Sequence, residues 1–585
     1  MKRILLARPI GVQKWARTTS TVIRIPECVT QQTPAVSHDF PKRGTRFRLI
    51  DSVQFSSNKM ILRLLAVLIP LLGPVSPLNI LMYGPTLAHS HVTFMGKIAD
   101  ILIDGGHSVT ILNAVLDPDV TTVGTPRAET IRFVGNSVDY PIFANLSSKT
   151  SEVFDVNRKG VNELPKITQM LTVLCKDFLN DAQLINALKV KKFDIGMTEF
   201  YEYCGDGLFE LLGIEKQIMV SAFPMFEPTH RAFGLSSSPS YIPELFTPLS
   251  DSMTYKQRAI NTLVSYKVDQ LFESVMQEQS ALFESFFQIK ESLLSVRQRK
   301  TGAAFINADV NLEFAQPITH KIHYVGGLKP SSKLPLSSEF AAIVNKAKKG
   351  FVVFSFGTFA KSSTFPKEIR RNLLKAFAKF PDYEFIWRYQ ESSDESAEHH
   401  TPNVHSFSWL QQNDLLNHPK CKLFITHGGY NGILESVEAG VPSVSVPLLG
   451  DQPHNVAVLV ARKISRFLGK ENLNEEGMTE ALKELLTDEP SVYHQNVKVV
   501  SQRMKHRLIS PEEVILKTTE FVGLFGALED WTLATVNHSF FKIYMLDIIL
   551  PLFVLACFIL IALFKLILIV IWKINNVLQA KSKSD

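Results

Sequence analysis

Phe424-Ile-Thr-His427-Gly428-Gly429-Tyr430-Asn431-Gly432-Ile-Leu-Glu435-Ser436 decides how the rest of this chain is read. Residues 421–426 form a short apolar run of the kind buried on both faces of a parallel sheet. Two glycines join it to a helical pattern that runs to Val437. Gly440-Val-Pro442 closes that helix, and residues 443–446 read as the next strand. At such a strand-to-helix turn, free amide N–H groups and the helix dipole make an anion site. His427 adds a donor for a phosphate oxygen, and Asn431 sits one turn on. Glu435 lies four residues past Asn431 on the same helix face, placed to accept from ribose hydroxyls. A Gly-rich turn that binds nothing has the same sequence, so these residues alone leave both readings open.

The flanks narrow the choice. Upstream, Ser408-Trp409-Leu-Gln-Gln412 supplies an indole that can stack on a nucleobase and an amide that can hold a ribose hydroxyl. Downstream, Pro447-Leu-Leu-Gly450-Asp451-Gln452 sets a carboxylate beside an amide, a pair suited to sugar hydroxyls. Further out, Gly350-Phe-Val-Val-Phe-Ser355 is a buried strand ending in Phe356-Gly357-Thr358, and Phe385-Ile-Trp-Arg388 is another. A second β/α set precedes these. It opens with a strand at 78–83, the Gly84-Pro85 break, a loop Leu87-Ala-His-Ser-His91 and a helix ending at Gly105-Gly106. Strands at 109–112, 193–197 and 217–222 follow, with a helix at 207–212. Two successive sets of this kind predict an α/β protein with two Rossmann-like halves facing across a cleft. Residues 228–300 are longer, polar and aromatic, without a sharp catalytic motif. They are a candidate region for acceptor specificity and membrane contact.

The span 409–452 resembles the nucleotide-sugar signature of the UDP-glycosyltransferases, in the animal, nematode-like UDP-glucuronosyltransferase branch. The W-x-x-Q, HGG-x-N-x-x-x-E and D-Q elements stand in order and at family spacing, and the likeness runs from about Leu78 to the tail. It implies a GT-B fold with the acceptor in the first half and the UDP-sugar in the second. By the same resemblance Trp409, Gln412 and Glu435 hold uridine. Thr358, His427 and Asn431, with the Gly428-Gly429 turn, hold the diphosphate, and Asp451 and Gln452 hold the sugar. The family base stands 16 residues before the Gly-His that ends the first helix. Here that is Gly106-His107, so the count falls on His91 and leaves His89 a solvated loop residue. A base that removes a hydroxyl proton suits histidine, and it needs an acidic partner to hold its tautomer. In the family the partner is usually Asp. Phe193-Asp194-Ile-Gly-Met-Thr198-Glu199 puts Glu199 there, one methylene longer, while Asp194 reads as structural.

The resemblance implies an inverting transfer of glucuronate or glucose from a UDP-sugar to a hydroxyl of a small lipophilic acceptor, as in detoxification or hormone-type conjugation. It implies no cofactor beyond that co-substrate and no metal. Asp117-Pro118-Asp119 matches a metal-binding D-x-D but follows a strand in a Pro turn, so a turn is expected. A non-catalytic member that binds lipophiles or UDP-sugar, or pairs with active paralogues, is the rival reading. Homo- or hetero-oligomers with paralogues stay open.

The ends set the compartment. Residues 546–572 contain 17 uncharged positions from Ile548 to Phe564, then Lys565 and seven more apolar residues, enough for one transmembrane helix. Lys573, Lys581 and Lys583 follow, which places the 573–585 tail in the cytoplasm. Residues 60–76 read as a signal peptide, with Arg63 before a short apolar run. Residues 1–59 form a basic extension, with ten Lys/Arg in the first fifty positions against Glu27 and Asp39. It reads either as a mitochondrial leader or as an extension absent from the working protein. The expected organisation is an acceptor domain at 77–320, a UDP-sugar domain at 321–525, a linker at 526–545 and the span. That makes a single-pass type I protein of the endoplasmic reticulum with lumenal catalytic domains, in keeping with the lysines at −3 and −5. Sequons at Asn145 and Asn537 agree with a glycoprotein. Five Cys in 585 residues exclude a disulfide scaffold, although Cys175, Cys204 and Cys421 leave room for one bridge. A net charge of +6, partly carried by the ends, gives no case for nucleic acid.

Overall fold

The computed structural model describes residues 76–136, 153–155, 163–329, 335–357, 365–389 and 401–582. The basic extension, nearly all of the signal stretch, Asn145, Thr358 and the last three residues lie outside the described residues.

The first half is a parallel sheet of β1 (Asn79–Pro85), β2 (Ser108–Val115), β3 (Glu129–Val134), β4 (Ile195–Glu199), β5 (Gln217–Ser221), β6 (Thr301–Ile306) and β7 (Ile322–Tyr324), in the order β3-β2-β1-β4-β5-β6-β7. The second half is a parallel sheet of β8 (Gly350–Ser355), β9 (Tyr383–Arg388), β10 (Val404–Phe407), β11 (Cys421–Thr426), β12 (Ser443–Ser445) and β13 (Ser465–Phe467), in the order β10-β9-β8-β11-β12-β13. β1, β4, β5, β6, β8 and β9 are almost wholly buried, as their unbroken apolar runs require when helices cover both faces.

In each sheet the strand order reverses once near the middle. In the first, β1 pairs with β2 on one side and β4 on the other, with Tyr83 opposite Thr198. In the second, β8 lies between β9 and β11, with Ser355 opposite Thr426. At such a switch point the connections leave in opposite directions and open a crevice at the carboxyl ends of the strands. The loops after β1 and β4, and after β8 and β11, therefore line the crevices of the two halves.

His89 and His91 are not in a loop, because the first helix runs His89–Asp104 and both lie in its opening turn. Val92, Phe94, Met95, Ile98, Ala99 and Leu102 bury one face of this helix, and Ala88 precedes it in extended conformation without a side-chain cap. The apolar period visible from Phe94 extends back through Val92, which pulls the histidines into helical backbone. The Asp117-Pro118-Asp119 stretch is a turn, with the Asp119 N–H donating to Asp117 Oδ1 at 2.9 Å.

The chain does not finish in the second half. The Pro511–Phe525 helix returns to the first sheet, where Ile515 and Val522 are buried with Leu78, Ile80 and Ile98. Lys216 donates to Gly523 O, and Lys321 Nζ donates to Ala527 O and Thr532 Oγ1, both at 2.6 Å. A 36-residue helix, Leu546–Lys581, follows, with an apolar surface exposed throughout. At 1.5 Å per residue it is ~54 Å long, more than a ~30 Å hydrocarbon core needs. Cys175 and Cys204 form a disulfide, while Cys421 is free and buried.

Candidate active site

β1 delivers the helix that carries His91, and β4 ends at Glu199. Their adjacency in the sheet brings together residues 108 positions apart in the chain. His91 Nδ1 lies 2.7 Å from Glu199 Oε2 and 3.0 Å from Oε1. Both residues are buried, at 2% and 1% exposure. A carboxylate so close accepts from Nδ1–H, which leaves the lone pair on Nε2. Tyr201 O–H donates to Pro85 O at 3.0 Å, its oxygen is 3.4 Å from Glu199 Oε1, and Tyr201 and Phe223 meet the imidazole edge-on. Burial and the Glu199 carboxylate raise the Tyr201 phenol well above its ordinary value, so it stays a neutral donor. Ala222 N–H approaches Glu199 Oε2 at 3.4 Å. The extra methylene of Glu is accommodated without loss of the pair.

Across the cleft, β11 runs into His427-Gly428-Gly429 and the Tyr430–Ala439 helix. Gly429 precedes that helix without a side-chain cap, so its first N–H groups are free for an anion. Gly428 has φ +83°, a conformation that L side chains rarely adopt. A Cβ on Gly357 would stand 2.7 Å from His427 Cε1, so the β8 loop passes too close for any side chain there. His427 is pushed down to about 4, chiefly by burial and further by Arg388, so its imidazole is neutral near pH 7. Gly428 itself faces inward, and its carbonyl accepts from Asn455 Nδ2 at 3.1 Å.

Gln412 Nε2 donates to Glu435 Oε2 at 2.7 Å, joining the two expected ribose groups. Burial raises Glu435, opposed by that bond and by the Lys97 ammonium. Trp409 is 68% exposed, free to stack, and the Arg388 guanidinium lies 5.0 Å from its ring centre. Asn431 Oδ1 accepts from Asn307 Nδ2 at 2.8 Å, a contact between the halves. Asp451 Oδ2 accepts from Asn455 Nδ2 at 2.6 Å. Burial raises Asp451, and its smaller opposing influences include His91, across the cleft. Gln452 Oε1 is spent on Leu448 N–H and Leu449 N–H, at 2.8 and 3.0 Å, which shapes the loop that carries Asp451.

His91, Arg388, Trp409, Gln412, His427, Asn431, Glu435, Asp451 and Gln452 line one cavity of about 710 Å³. Its first-half wall carries an apolar cluster of Leu87, Ile167, Leu171, Phe223, Phe226, Phe246 and Phe272 beside His89, His91, Lys97 and Glu163. Its second-half wall is polar, with Arg388, Trp409, Gln412, His427, Asn431, Glu435, Asp451 and Gln452. His89 also lines the cavity and bonds Thr122, so it is not a freely solvated residue as expected. Sequence reasoning missed Arg388, Asn307 and Asn455. The first two are a polar residue at, or just past, the carboxyl end of a buried strand, β9 and β6. That position opens onto the crevice of a parallel sheet and was the available signal.

Two doubly wound parallel sheets with a cavity between them are the arrangement of the GT-B glycosyltransferases. Residues 80–584 match the family model described as UDP-glucoronosyl and UDP-glucosyl transferase, and the chain belongs to that family. It is 31% identical over 514 residues to the ugt-47 protein of Caenorhabditis briggsae, covering 86% of this chain and 95% of that one. It is 32% identical to UDP-glucuronosyltransferase 2B14 of Oryctolagus cuniculus over 414 residues, 70% of this chain and 76% of the other. Among solved structures it shares its fold with a UDP-glucosyltransferase from Polygonum tinctorium. That match has TM-score 0.54 and 14% identity, and covers 77% of this chain and 99% of that one.

Proposed function

We propose that this enzyme transfers glucose or glucuronate, with inversion, from a UDP-sugar to a hydroxyl of a small lipophilic acceptor. The observation that carries this reading is the buried His91–Glu199 pair on the apolar side of the cavity, facing Asp451 and Gln452 on the polar side. His91 Nε2 takes the acceptor proton as the hydroxyl oxygen forms its bond to the anomeric carbon. The bond from that carbon to the β-phosphate oxygen breaks, and UDP leaves with the electron pair. Glu199 holds the tautomer and stabilises the imidazolium that forms.

Trp409 stacks on the uracil while Gln412 and Glu435 hold the ribose. Asn431, Thr358, His427 and the N–H groups opening the Tyr430–Ala439 helix take the diphosphate, with Arg388 as an added cation. Preorganised donors of this kind stabilise the charge on the leaving group without reorganisation. The Leu546–Lys581 helix anchors the protein as a single-pass type I chain of the endoplasmic reticulum, with the catalytic halves lumenal. The Cys175–Cys204 disulfide supports an oxidising compartment, and Asn537 lies exposed before the anchor. In this reading residues 60–76 are the signal and residues 77–320 and 321–525 the two domains, and Asn145 and Asn537 carry glycan.

The test is UDP release by microsomes expressing residues 60–585, with UDP-glucose or UDP-glucuronate and a panel of phenols. Release that falls with His91→Ala is expected. Release insensitive to His91→Ala would remove the base assignment, and UDP binding without release would favour a non-catalytic member. Sensitivity of the chain's mass to a glycosidase checks the compartment.

A further inference from the structure

Asn307 stands one residue past β6, on the connection to β7. Its backbone is fixed, because its N–H continues the β5–β6 ladder by donating to Ser221 O at 2.8 Å. Its side chain is buried, at 2% exposure, and its Nδ2 faces two oxygens. One is Ala222 O at 3.1 Å, in the first half. The other is Asn431 Oδ1 at 2.8 Å, in the second. A main-chain carbonyl only accepts, so the atom beside Ala222 O is the NH2 group of Asn307 and not its amide oxygen. Both N–H bonds of that group are then committed, one in each half.

This commitment fixes Asn431 as well. The atom of Asn431 that faces an NH2 group must accept, so it is the amide oxygen. The NH2 group of Asn431 is left for the cavity that Asn431 lines. Turned over, the same amide would aim its oxygen at an anion in place of a donor. The backbone there is held too, because Asp309, on the Asn307 loop, donates its N–H to the hydroxyl of Tyr430 at 3.3 Å. Tyr430 and Asn431 open the Tyr430–Ala439 helix, so its first turn is docked on this loop. On the other side, Ala222 gives its carbonyl to Asn307 and its N–H to Glu199 Oε2, at 3.4 Å. Asn307 itself stands behind Asn431 and does not line the large cavity.

We propose that Asn307 is a positioning residue for the donor. It holds the Asn431 amide with its NH2 group towards the diphosphate, and it does so across the two halves. The assignment rests on the reading of Asn431 as a diphosphate contact. Asn307 acts through Asn431 and does not touch the nucleotide.

The test compares the full chain, in detergent micelles, with Asn307→Ala, Asn431→Ala and the double variant. UDP affinity is read by calorimetry, and the two KM values and kcat by initial rates with a UDP-sugar and a phenol. A hydrogen bond to a charged group is worth about tenfold or more in affinity. Asn431→Ala is therefore expected to weaken UDP about tenfold. Asn307→Ala should weaken it about three- to tenfold, because a released amide faces the phosphate only part of the time. In both, KM for the UDP-sugar should rise while KM for the phenol holds. The double variant should bind UDP as Asn431→Ala does, since nothing is left for Asn307 to orient. A loss from Asn307→Ala that persists in full on the Asn431→Ala background would overturn the positioning role. So would unchanged UDP affinity in Asn307→Ala, with the reading of Asn431 left standing. Unchanged affinity in Asn431→Ala would remove that residue from the diphosphate site, and the inference with it. Asn431→Asp gives an arm that does not depend on the folding of Asn307→Ala. It keeps an oxygen for Asn307 and replaces the cavity-facing NH2 group with a second oxygen, so it should weaken UDP more than Asn431→Ala. An equal or smaller loss would set the amide the other way round and sink the proposal.

Discussion

At the scale of single residues, the geometry around His91 separates chemistry from binding. Glu199→Gln keeps the size of the side chain but removes the charge that stabilises imidazolium. It is expected to lower kcat by ~10²–10⁴-fold with UDP affinity unchanged, measured by initial rates and calorimetry. Glu199→Asp should retain much more activity if the backbone can close one methylene of distance. Trp409→Ala should act in the opposite way, weakening UDP binding by ~1–3 kcal/mol through lost stacking on an exposed ring. His427 carries a pH signature. Its folded value of about 4 lies below the ordinary 6.5, so the unfolded chain takes up a proton as pH falls from 6.5 towards 4 while the folded chain does not. Stability without donor should therefore fall across that window. The donor diphosphate favours the imidazolium, so affinity for a UDP-sugar should rise across the same window. Calorimetry of wild type against His427→Gln, in which both trends should flatten, checks this.

At the scale of elements, the segment after β4 in the first half depends on buried charge. Arg297 and Asp206 are fully buried, with Nη2 2.7 Å from Asp206 Oδ2, and Arg297 Nη1 donates to Phe200 O at 3.1 Å. The guanidinium lies 3.8 Å from the Tyr203 ring centre, so it clamps the turn that follows Glu199. Glu202 is raised to about 8 by burial and by Asp206, and it accepts from Cys204 N–H at 2.6 Å. Removing one partner leaves an uncompensated buried charge. Asp206→Ala is expected to cost ~3–5 kcal/mol in chemical denaturation and to lower activity through the position of Glu199. The Cys175–Cys204 bridge joins the Leu164–Leu179 helix, part of the cavity wall, to the same turn across 29 residues. Its loss in the Cys175→Ser, Cys204→Ser variant should cost ~3–4 kcal/mol on loop-closure grounds, read from the denaturation midpoint.

At the scale of the whole molecule, the two halves are not independent beads. The Pro511–Phe525 helix leaves the second half and is buried on the first, where Val522 and Ile515 have no exposed surface. A chain ending after Tyr544 keeps this strap and should fold and bind UDP without the Leu546–Lys581 helix. A chain ending after Ile509 exposes the apolar face beneath it. It should aggregate or lose several kcal/mol of stability, at ~25 cal/mol per Å² of apolar surface uncovered. Comparing the two truncations by size-exclusion chromatography and thermal unfolding checks the point. The strap ties the end of the second half to the first sheet, so the cavity between the halves should loosen when it is removed.

Much of this was readable in the sequence because it is local. The strand-turn-helix at Phe424–Ser436, the apolar strands and the long apolar helix each follow from periodicity and glycine placement within a dozen residues. Their order was enough to predict two α/β halves. Tertiary structure decided what depends on adjacency between distant strands. It paired His91 with Glu199 by setting β1 beside β4, chose Cys204 rather than Cys421 as the partner of Cys175, and moved His89 and His91 into a helix. It also placed Arg388 in the cleft and Asn307 against Asn431. The His91–Glu199 pair was expected only through the family resemblance, and local periodicity carries none of these contacts, because a side chain's partners across a parallel sheet are set by the order in which the strands assemble.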